Sequence, residues 1–320
     1  ASLVTNVGGN LTLTSGAAAG ITDSATVTVG GNLIATTDAN SGVIDLGTLA
    51  VDGTIALTTH NNGAATVVND AGLNFAASTV GGALSATATT GNITDSGALT
   101  ITGTSTFVTI ANDATITLDQ GGHAFTGALL ITTNDTSTDT AGDVTISAGS
   151  STVLDFGNST IDGDLIATSS NATGITDSGA MTVRGTASFQ TTATNADISL
   201  GTSTLGDGTG TDTITLNTTG STGHATLDNG TTVVALGTSA ASLVTYVGGN
   251  LTVTGNTTIG GNITIGDADT DSINISAELA NDLIPNSDSL FNIGSSDKRY
   301  LTVFGDRFIG TSLEVGGLVL

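Results

Sequence analysis

The chain has 320 residues, of which 28 are Asp or Glu and 4 are Lys or Arg, so its formal net charge is −24 at pH 7. With 1 Pro and no Cys, it is not a collagen or a disulfide-stapled module, and it has no thiolate metal ligands. Its strong negative charge argues against nucleic acids and anionic membranes as partners, because both would be repelled. No apolar run approaches the roughly 20 residues of a membrane span, and no signal-peptide pattern is visible.

A short motif recurs from the first residues onward. An apolar residue and a Gly-containing pair are followed by alternating apolar and polar residues. Copies begin at Val7, Val29, Val51, Val80, Ile161, Val247 and Ile259, and the first three are evenly spaced. Alternation of Val, Ile and Leu with Thr is typical of β-strands, and the intervening Gly and Asn mark turns.

A strand-and-turn unit of about 22 residues cannot bury its apolar face alone, so its copies must stack on one another. We therefore predict an all-β fold, a parallel β-helix or solenoid with one unit per coil. Val, Leu, Ile and Ala would point inward, and Thr, Ser, Asn and Asp would face water. The alternative is an array of β-sandwiches, which would show turns every 8–12 residues or so and less strict repetition.

A longer period overlies the short one. The sequence GITDS at 20–24 returns as NITDS at 92–96 and as GITDS at 174–178, and the segment at 1–14 returns almost unchanged at 241–254. Three long repeats of about 80 residues each account for the distance between these two segments. We divide the chain into a solenoid, 1–282, made of three such repeats plus the start of a fourth, and a C-terminal cap or junction module, 283–320.

The sequence VGGNLTLT and its variants resemble the coil repeats of filamentous-haemagglutinin-type adhesins over most of residues 1–265. The resemblance implies a right-handed β-helix on a bacterial surface. An extracellular or cell-surface location is therefore expected.

The composition changes after residue 282, where three of the four basic residues and several aromatic residues are concentrated. The run from 283 to 317 resembles a module of phage tail fibres and of giant bacterial surface proteins, which implies a structural fibre and makes a virion the alternative location. Mixed charge and aromatic side chains suit a cap on an open solenoid end. The residues expected to cap or assemble are Phe291, Lys298, Arg299, Tyr300, Phe304, Arg307 and Phe308.

One acidic stretch has the spacing of an EF-hand calcium loop, with carboxylates at Asp267, Asp269, Asp271 and Glu278. Ser272 stands where such a loop needs Gly, and a similar stretch begins at Gly206. A solenoid turn is therefore the favoured interpretation. These residues are a weak Ca²⁺ candidate, and no other cofactor is expected.

The repeated TDS triplets contain Asp23, Asp95 and Asp177. Asp residues could serve acid–base catalysis, as in β-helix enzymes that cleave polysaccharides. Their presence in every long repeat instead favours hydrogen bonding to turns, because catalysis needs one site rather than three. The three His residues, His60, His123 and His224, are isolated and show no metal-binding or triad spacing.

These observations predict a structural extracellular fibre or surface-filament protein that assembles with itself by coil stacking and end-to-end contacts, and not an enzyme. The alternative is the shaft of a phage tail fibre or adhesin that presents a receptor-binding tip, with a host glycan or receptor as partner. A polysaccharide-cleaving β-helix enzyme is a minor alternative.

Overall fold

The computed structural model describes residues 2–38, 40–134, 141–206, 212–220 and 222–227, followed by four short strands. For residues 2–4 and for the strands beyond residue 227, only the backbone is described. The described residues form strands and no helix. The chain divides into a unit at 1–257 and a unit at 258–320. The predicted boundary at 282/283 lies outside the described residues, and of the predicted cap only the backbone of the strands at 314–315 and 318–319 is described.

None of the described residues belongs to a helix that could cross a membrane.

The first unit is a succession of coils, each passing through two parallel sheets, here called sheet A and sheet B. Coils 1 to 3 are β1 (Ser2–Val7) with β2 (Leu11–Ser15), β3 (Ile21–Val29) with β4 (Leu33–Thr37), and β5 (Ile44–Val51) with β6 (Ile55–Thr58). In each of these coils the first strand lies in sheet A and the second in sheet B.

The next four coils follow the same path, but in coils 4 and 5 the face in sheet B consists of two short strands. Coil 4 has β7 (Ala65–Asn69), β8 (Leu73–Phe75) and β9 (Ser78–Val80); coil 5 has β10 (Leu84–Ala88), β11 (Ile93–Asp95) and β12 (Leu99–Ile101); coil 6 has β13 (Ser105–Asn112) and β14 (Ile116–Phe125); coil 7 has β15 (Leu129–Asn134) and β16 (Val144–Ala148). In these coils the strand that begins the coil lies in sheet A, and the others lie in sheet B.

In the later coils the division moves to sheet A. Coil 8 has β17 (Leu154–Phe156), β18 (Ser159–Ile161) and β19 (Leu165–Ser169); coil 9 has β20 (Gly174–Asp177), β21 (Met181–Val183) and β22 (Ala187–Thr194); coil 10 has β23 (Asp197–Leu200), β24 (Ser203–Leu205) and β25 (Thr213–Thr219); coil 11 has β26 (Ala225–Leu227) and β27 (Ser242–Tyr246), followed by β28 (Leu251–Thr252). The second unit contributes an antiparallel pair, β29 (Glu314–Val315) and β30 (Leu318–Val319).

Every described strand pair of the first unit is parallel, and the register advances by one coil at a time. Leu11 pairs with Leu33, which pairs with Ile55, so the interval between partners is the same across the first three coils. The prediction of an all-β parallel solenoid with coils of about 22 residues is confirmed. The array of β-sandwiches is excluded.

Apolar side chains form continuous columns inside the coils. One column in sheet B contributes a residue from each of coils 4 to 10, and all are at most 2% exposed: Leu73, Ile93, Ile116, Val144, Leu165, Ala187 and Ile214. Burying a Leu or Ile side chain stabilises a fold by about 1.5–3 kcal/mol. Stacking therefore supplies the burial that a single coil cannot achieve.

The core also contains fully buried phenylalanines that contact one another within and between coils. Phe75, Phe107 and Phe125 form two edge-to-face contacts with ring centroids 6.1 and 6.3 Å apart, and Phe156 packs against Phe189 in the same way at 6.3 Å. Sequence analysis had drawn attention only to the aromatic residues of the C-terminal segment. Isolated Phe residues in a Thr- and Gly-rich chain do not show by themselves that they meet across coils.

The Gly-containing motifs form corners where successive coils approach most closely. A Cβ placed on Gly53 would lie 2.5 Å from the carbonyl oxygen of Gly31 in the preceding coil, which no side chain can tolerate. The Asn after the glycines joins the corners together. Asn32 Oδ1 accepts a hydrogen bond from the Thr54 amide at 2.9 Å, just as Asn10 Oδ1 accepts one from the Asn32 amide.

The other kind of corner is closed by a buried Thr hydroxyl that donates to a carbonyl four or five residues later. The pairs are Thr37–Gly42, Thr59–Gly63, Thr109–Ala114, Thr191–Ala196 and Thr218–Gly223. All five corners contain a residue with positive φ, which is Gly220 in the last and a non-Gly residue in the others, namely Ser41, Asn61, Asp113 and Asn195. Such a conformation is uncommon outside Gly and is tolerated best by Asn and Asp.

The long sequence repeat corresponds to three and a half coils. The first TDS triplet lies in sheet A of coil 2, the second in sheet B of coil 5, and the third in sheet A of coil 9. The nearly identical segments at 1–14 and 241–254 follow the same rule, since β1 lies in sheet A and β27 in sheet B. Successive long repeats are therefore displayed on opposite faces of the solenoid.

Candidate functional site

The predicted Ca²⁺ ligands lie outside the described residues. These are Asp267, Asp269, Asp271 and Glu278. The same holds for the residues expected to cap or assemble, which are Phe291, Lys298, Arg299, Tyr300, Phe304, Arg307 and Phe308. Both remain predictions. In the described parts of the chain, no group of three or more His, Cys, Asp or Glu side chains could hold a metal ion.

The repeated Asp residues are the best-defined polar feature of the described coils. Asp23 lies at the register shift of β3, Asp95 and Asp177 are the last residues of β11 and β20, and each carboxylate accepts hydrogen bonds from the following coil. Asp23 accepts the Thr48 amide at 2.8 Å and the Thr48 hydroxyl at 2.9 Å. The predicted hydrogen bonds to backbone amides are present, but their donors belong to the next coil. They lie within strands β5 and β14 for Asp23 and Asp95, and between β23 and β24 for Asp177.

Asp177 has the largest number of such contacts. Its carboxylate accepts the Gly201 amide at 2.6 Å and the Thr202 amide at 2.9 Å. It also accepts the Ser203 hydroxyl at 3.0 Å. One coil earlier, Asp155 accepts the hydroxyls of Thr176 and Ser178 at 3.0 and 2.7 Å. The carboxylates of Asp23, Asp95 and Asp177 therefore link each coil to the next, and we call these three side chains the staples.

The three staples do not form a common cleft. Asp23 and Asp177 lie in sheet A, whereas Asp95 lies in sheet B. This arrangement follows from the three and a half coils that separate successive copies. It removes the geometric basis for a shared acid–base site built from these carboxylates.

Asp95 differs from the other two because its partner is a histidine. His123 Nε2 lies 3.2 Å from Asp95 Oδ2, and both side chains are fully buried. The contact falls short of linear hydrogen-bond geometry, so its attraction is mainly electrostatic. Asp95 also accepts the amides of Asp119 and Gln120 at 3.0 and 3.3 Å. The imidazole stacks on Phe125, with ring centroids 5.6 Å apart.

The other imidazole nitrogen fixes the protonation state. His123 Nδ1 accepts a hydrogen bond from the Leu99 amide at 3.0 Å, so the neutral ring carries its proton on Nε2, facing Asp95. Burial lowers the pKa of His123 below its usual value, against the pull of the Asp95 carboxylate. Burial likewise raises the pKa of Asp95, although His123 and the two amides oppose that shift.

Each of the other charged pairs among the described residues has at least one exposed side chain. Arg184 Nη1 is 3.1 Å from Asp162 Oδ1, and His224 Nδ1 is 3.5 Å from Asp197 Oδ1. His60 is exposed on a corner of coil 3. The structure thus brings only one of the three His residues into a buried pair.

Sequence analysis missed the pairing of Asp95 with His123. The two residues are separated by one coil plus the bulge at 119–122. A search for His or Ser 26 to 28 residues after the Asp of each TDS triplet would have found His123 after Asp95 and Ser203 after Asp177. Contacts between coils, rather than local motifs, carry this signal.

Two segments, 62–132 and 141–204, match a family of repeats of unknown function (DUF5649). The first match begins just before β7 in sheet A, and the second just before β16 in sheet B. The family repeat therefore starts on alternate faces in this solenoid. No curated protein and no solved structure matches the chain.

Proposed function

We propose that the chain is a structural fibre or surface-filament protein of the extracellular space and not an enzyme. The observation that carries the proposal is the use of the repeated acidic residues. Asp23, Asp95 and Asp177 all accept hydrogen bonds from the coil that follows. These hydrogen bonds join each coil to the next, which is a structural role.

Self-assembly is part of the proposal. Among the described strands, β1 and β2 pair with coil 2 along one edge only. The nearly identical segment at 241–254 pairs through β27 and β28 with the strands before it, β25 and β26. This segment type therefore accepts a coil on its preceding edge, and we propose that another copy of the chain supplies one in the filament.

The half-exposed residues of coil 1 are the contacts through which such a copy would stack. Leu11 and Leu13 are only partly buried, whereas their register partners Leu33 and Ala35 are fully buried. Partly buried apolar side chains at a strand edge favour the packing of a further coil against them. The net charge of −24 disfavours side-by-side association, because the long faces repel one another.

The resemblance to filamentous-haemagglutinin-type coils agrees with an extracellular role, and the resemblance of the C-terminal segment to tail-fibre modules agrees with a fibre.

Electron microscopy and sedimentation of the native protein test assembly. We expect rods that lengthen with protein concentration, by about 4.8 Å for each added coil. Leu13→Lys should shorten them, because it places a charge on the stacking edge, whereas the outward-facing Thr14→Lys should not. Rods of constant length at all concentrations would refute end-to-end assembly, and a trimeric shaft ending in a knob would favour the receptor-presenting alternative.

A separate assay tests the absence of catalysis. Acidic and neutral polysaccharides are incubated with the protein, and reducing ends and unsaturated uronides are measured. We expect no release. Turnover abolished by Asp23→Asn, Asp95→Asn or Asp177→Asn would establish the enzyme alternative.

A further inference from the structure

The junction between coils 5 and 6 contains a histidine where the equivalent junction between coils 9 and 10 has backbone and serine. At the later junction, the Met181 amide donates to the Thr202 carbonyl at 3.3 Å, and the Ser203 hydroxyl donates to Asp177. At the earlier junction, His123 makes both connections, accepting the Leu99 amide and contacting Asp95. One imidazole thus replaces two separate links.

The side chains of Asp95 and His123 can share one proton, but a second proton would disrupt a hydrogen bond. With Nε2 protonated toward Asp95, a second proton on the ring must sit on Nδ1, directly facing the Leu99 amide hydrogen. Two donors would then point at each other. A second proton on the Asp95 carboxylate instead weakens an acceptor that already serves the amides of Asp119 and Gln120.

The surroundings offer nothing else that could take up the added charge. Asp95 on β11 and Asp119 on β14 are the charged groups that act on the imidazole. The other strands packed against β14, which are β12, β13 and β16, contain no titratable side chain. The full burial of His123 and Asp95 denies an extra proton the stabilisation that water would provide.

We propose that Asp95 and His123 form an acid-sensitive latch, which closes coil 6 onto coil 5 at neutral pH and releases the 119–122 bulge when a second proton enters.

The direction follows from the two pKa shifts. The pKa of the His123 imidazole is lowered by burial in the closed latch. When the pH falls below the usual value of 6.5, the imidazole therefore binds a proton in the opened latch more readily than in the closed one. Acid therefore favours opening. The raised pKa of Asp95 works in the opposite sense at lower pH, since the closed carboxyl then binds a proton more readily. Opening is expected to increase between pH 6.5 and the pH at which Asp95 becomes protonated.

Hydrogen exchange followed by mass spectrometry at pH 7.5 and pH 5 tests the latch, after correction for intrinsic exchange rates. The amides of Leu99, Asp119 and Gln120 should lose protection at pH 5, because the opened imidazole takes up a proton that the closed one does not. The amides of Gly201 and Thr202 at the Asp177 junction are the internal control and should keep theirs. Equal losses at both junctions, or no loss at either, would overturn the proposal.

The variant His123→Ser copies Ser203 and removes the titrating ring. We expect protection at the coil 5–6 junction to become independent of pH between 7.5 and 5; persistent pH dependence would contradict the latch. Nitrogen-15 NMR of the native imidazole provides a measurement that needs no variant. A proton on Nε2 at neutral pH and a charged ring in the opened state are expected, whereas a proton on Nδ1 at neutral pH would refute the mechanism.

Discussion

Buried hydroxyl groups in this solenoid differ according to whether they have a partner. Ser159 Oγ accepts the Ile131 amide and donates to the Gly157 carbonyl, both at 3.1 Å. It replaces a ladder bond where the divided face of coil 8 meets the continuous strand of coil 7. Ser105 lies in an apolar column between Leu84 and Leu129, and its hydroxyl has no hydrogen-bond partner. The same residue type is therefore stabilising at one position and costly at the other.

Ser105→Ala should stabilise the protein by about 1 kcal/mol, because it removes a buried hydroxyl that lacks a partner. Ser159→Ala should destabilise it by about 1–3 kcal/mol, because it leaves a buried amide and a carbonyl unpaired. Urea unfolding followed by circular dichroism measures both. Changes of the same sign in the two variants would contradict this assignment.

At the scale of elements, corners and staples set the distance and the alignment between coils. Gly53 illustrates the first, since it allows the corner of coil 3 to contact the backbone of Gly31. The staples set alignment, because each carboxylate accepts donors 24 to 26 residues ahead. These side-chain hydrogen bonds join neighbouring coils in addition to the backbone hydrogen bonds between their strands.

Gly53→Ala should destabilise the first coils by several kcal/mol, because backbone atoms must move to accommodate the methyl group. Gly47→Ala on β5 is the matched control, since a Cβ there would have no atom within 4 Å. It should change stability by less than about 0.5 kcal/mol. Thermal unfolding distinguishes the two, and similar melting temperatures for both variants would refute the close-approach argument.

Asp177→Ala should cost about 1–3 kcal/mol, because two amides and a hydroxyl lose their acceptor. The loss should appear as faster hydrogen exchange at Gly201 and Thr202. Asp45→Ala, which removes an exposed carboxylate from β5 in the same sheet, should leave these amides unaffected. Unchanged exchange in Asp177→Ala would mean that the staple contributes nothing to stability.

At the scale of the whole solenoid, each coil contacts mainly its neighbours, so stability is a sum over coils and their interfaces. The long repeat of three and a half coils adds a second symmetry. A half-coil shift exchanges sheets A and B, so two long repeats are needed before the same face recurs. A filament of such repeats should display its TDS triplets on alternate faces, about 17 Å apart for coils spaced at about 4.8 Å.

Deletion of 33–54 removes one coil and joins Asn32 to Ile55, the register partner of Leu33. The shortened chain should fold, because every later strand keeps its sheet. Deletion of 33–43 removes half a coil and should fail, because β5 would follow Asn32 in the wrong sheet with its corner missing. Circular dichroism and melting curves test both chains. Equal folding of the two would show that the faces are interchangeable.

The face of the solenoid on which each TDS triplet lies could not be predicted from the sequence. The TDS triplets were visible as repeats, and their bonding to turns was expected. Nothing local in the triplets indicated that Asp95 would face the opposite side from Asp23 and Asp177. That depends on the number of coils between them, which includes bulges and corners of variable length.

The amino-acid sequence by itself determined the all-β class, the parallel solenoid and the length of its coil. These follow from alternation with period two and from Gly and Asn at regular turns, which are local properties that each coil repeats. Only the tertiary structure decided which face carries each staple, which phenylalanines meet and that His123 joins Asp95. Those contacts connect residues that are far apart in the sequence, and their partners depend on the summed lengths of the intervening strands and corners.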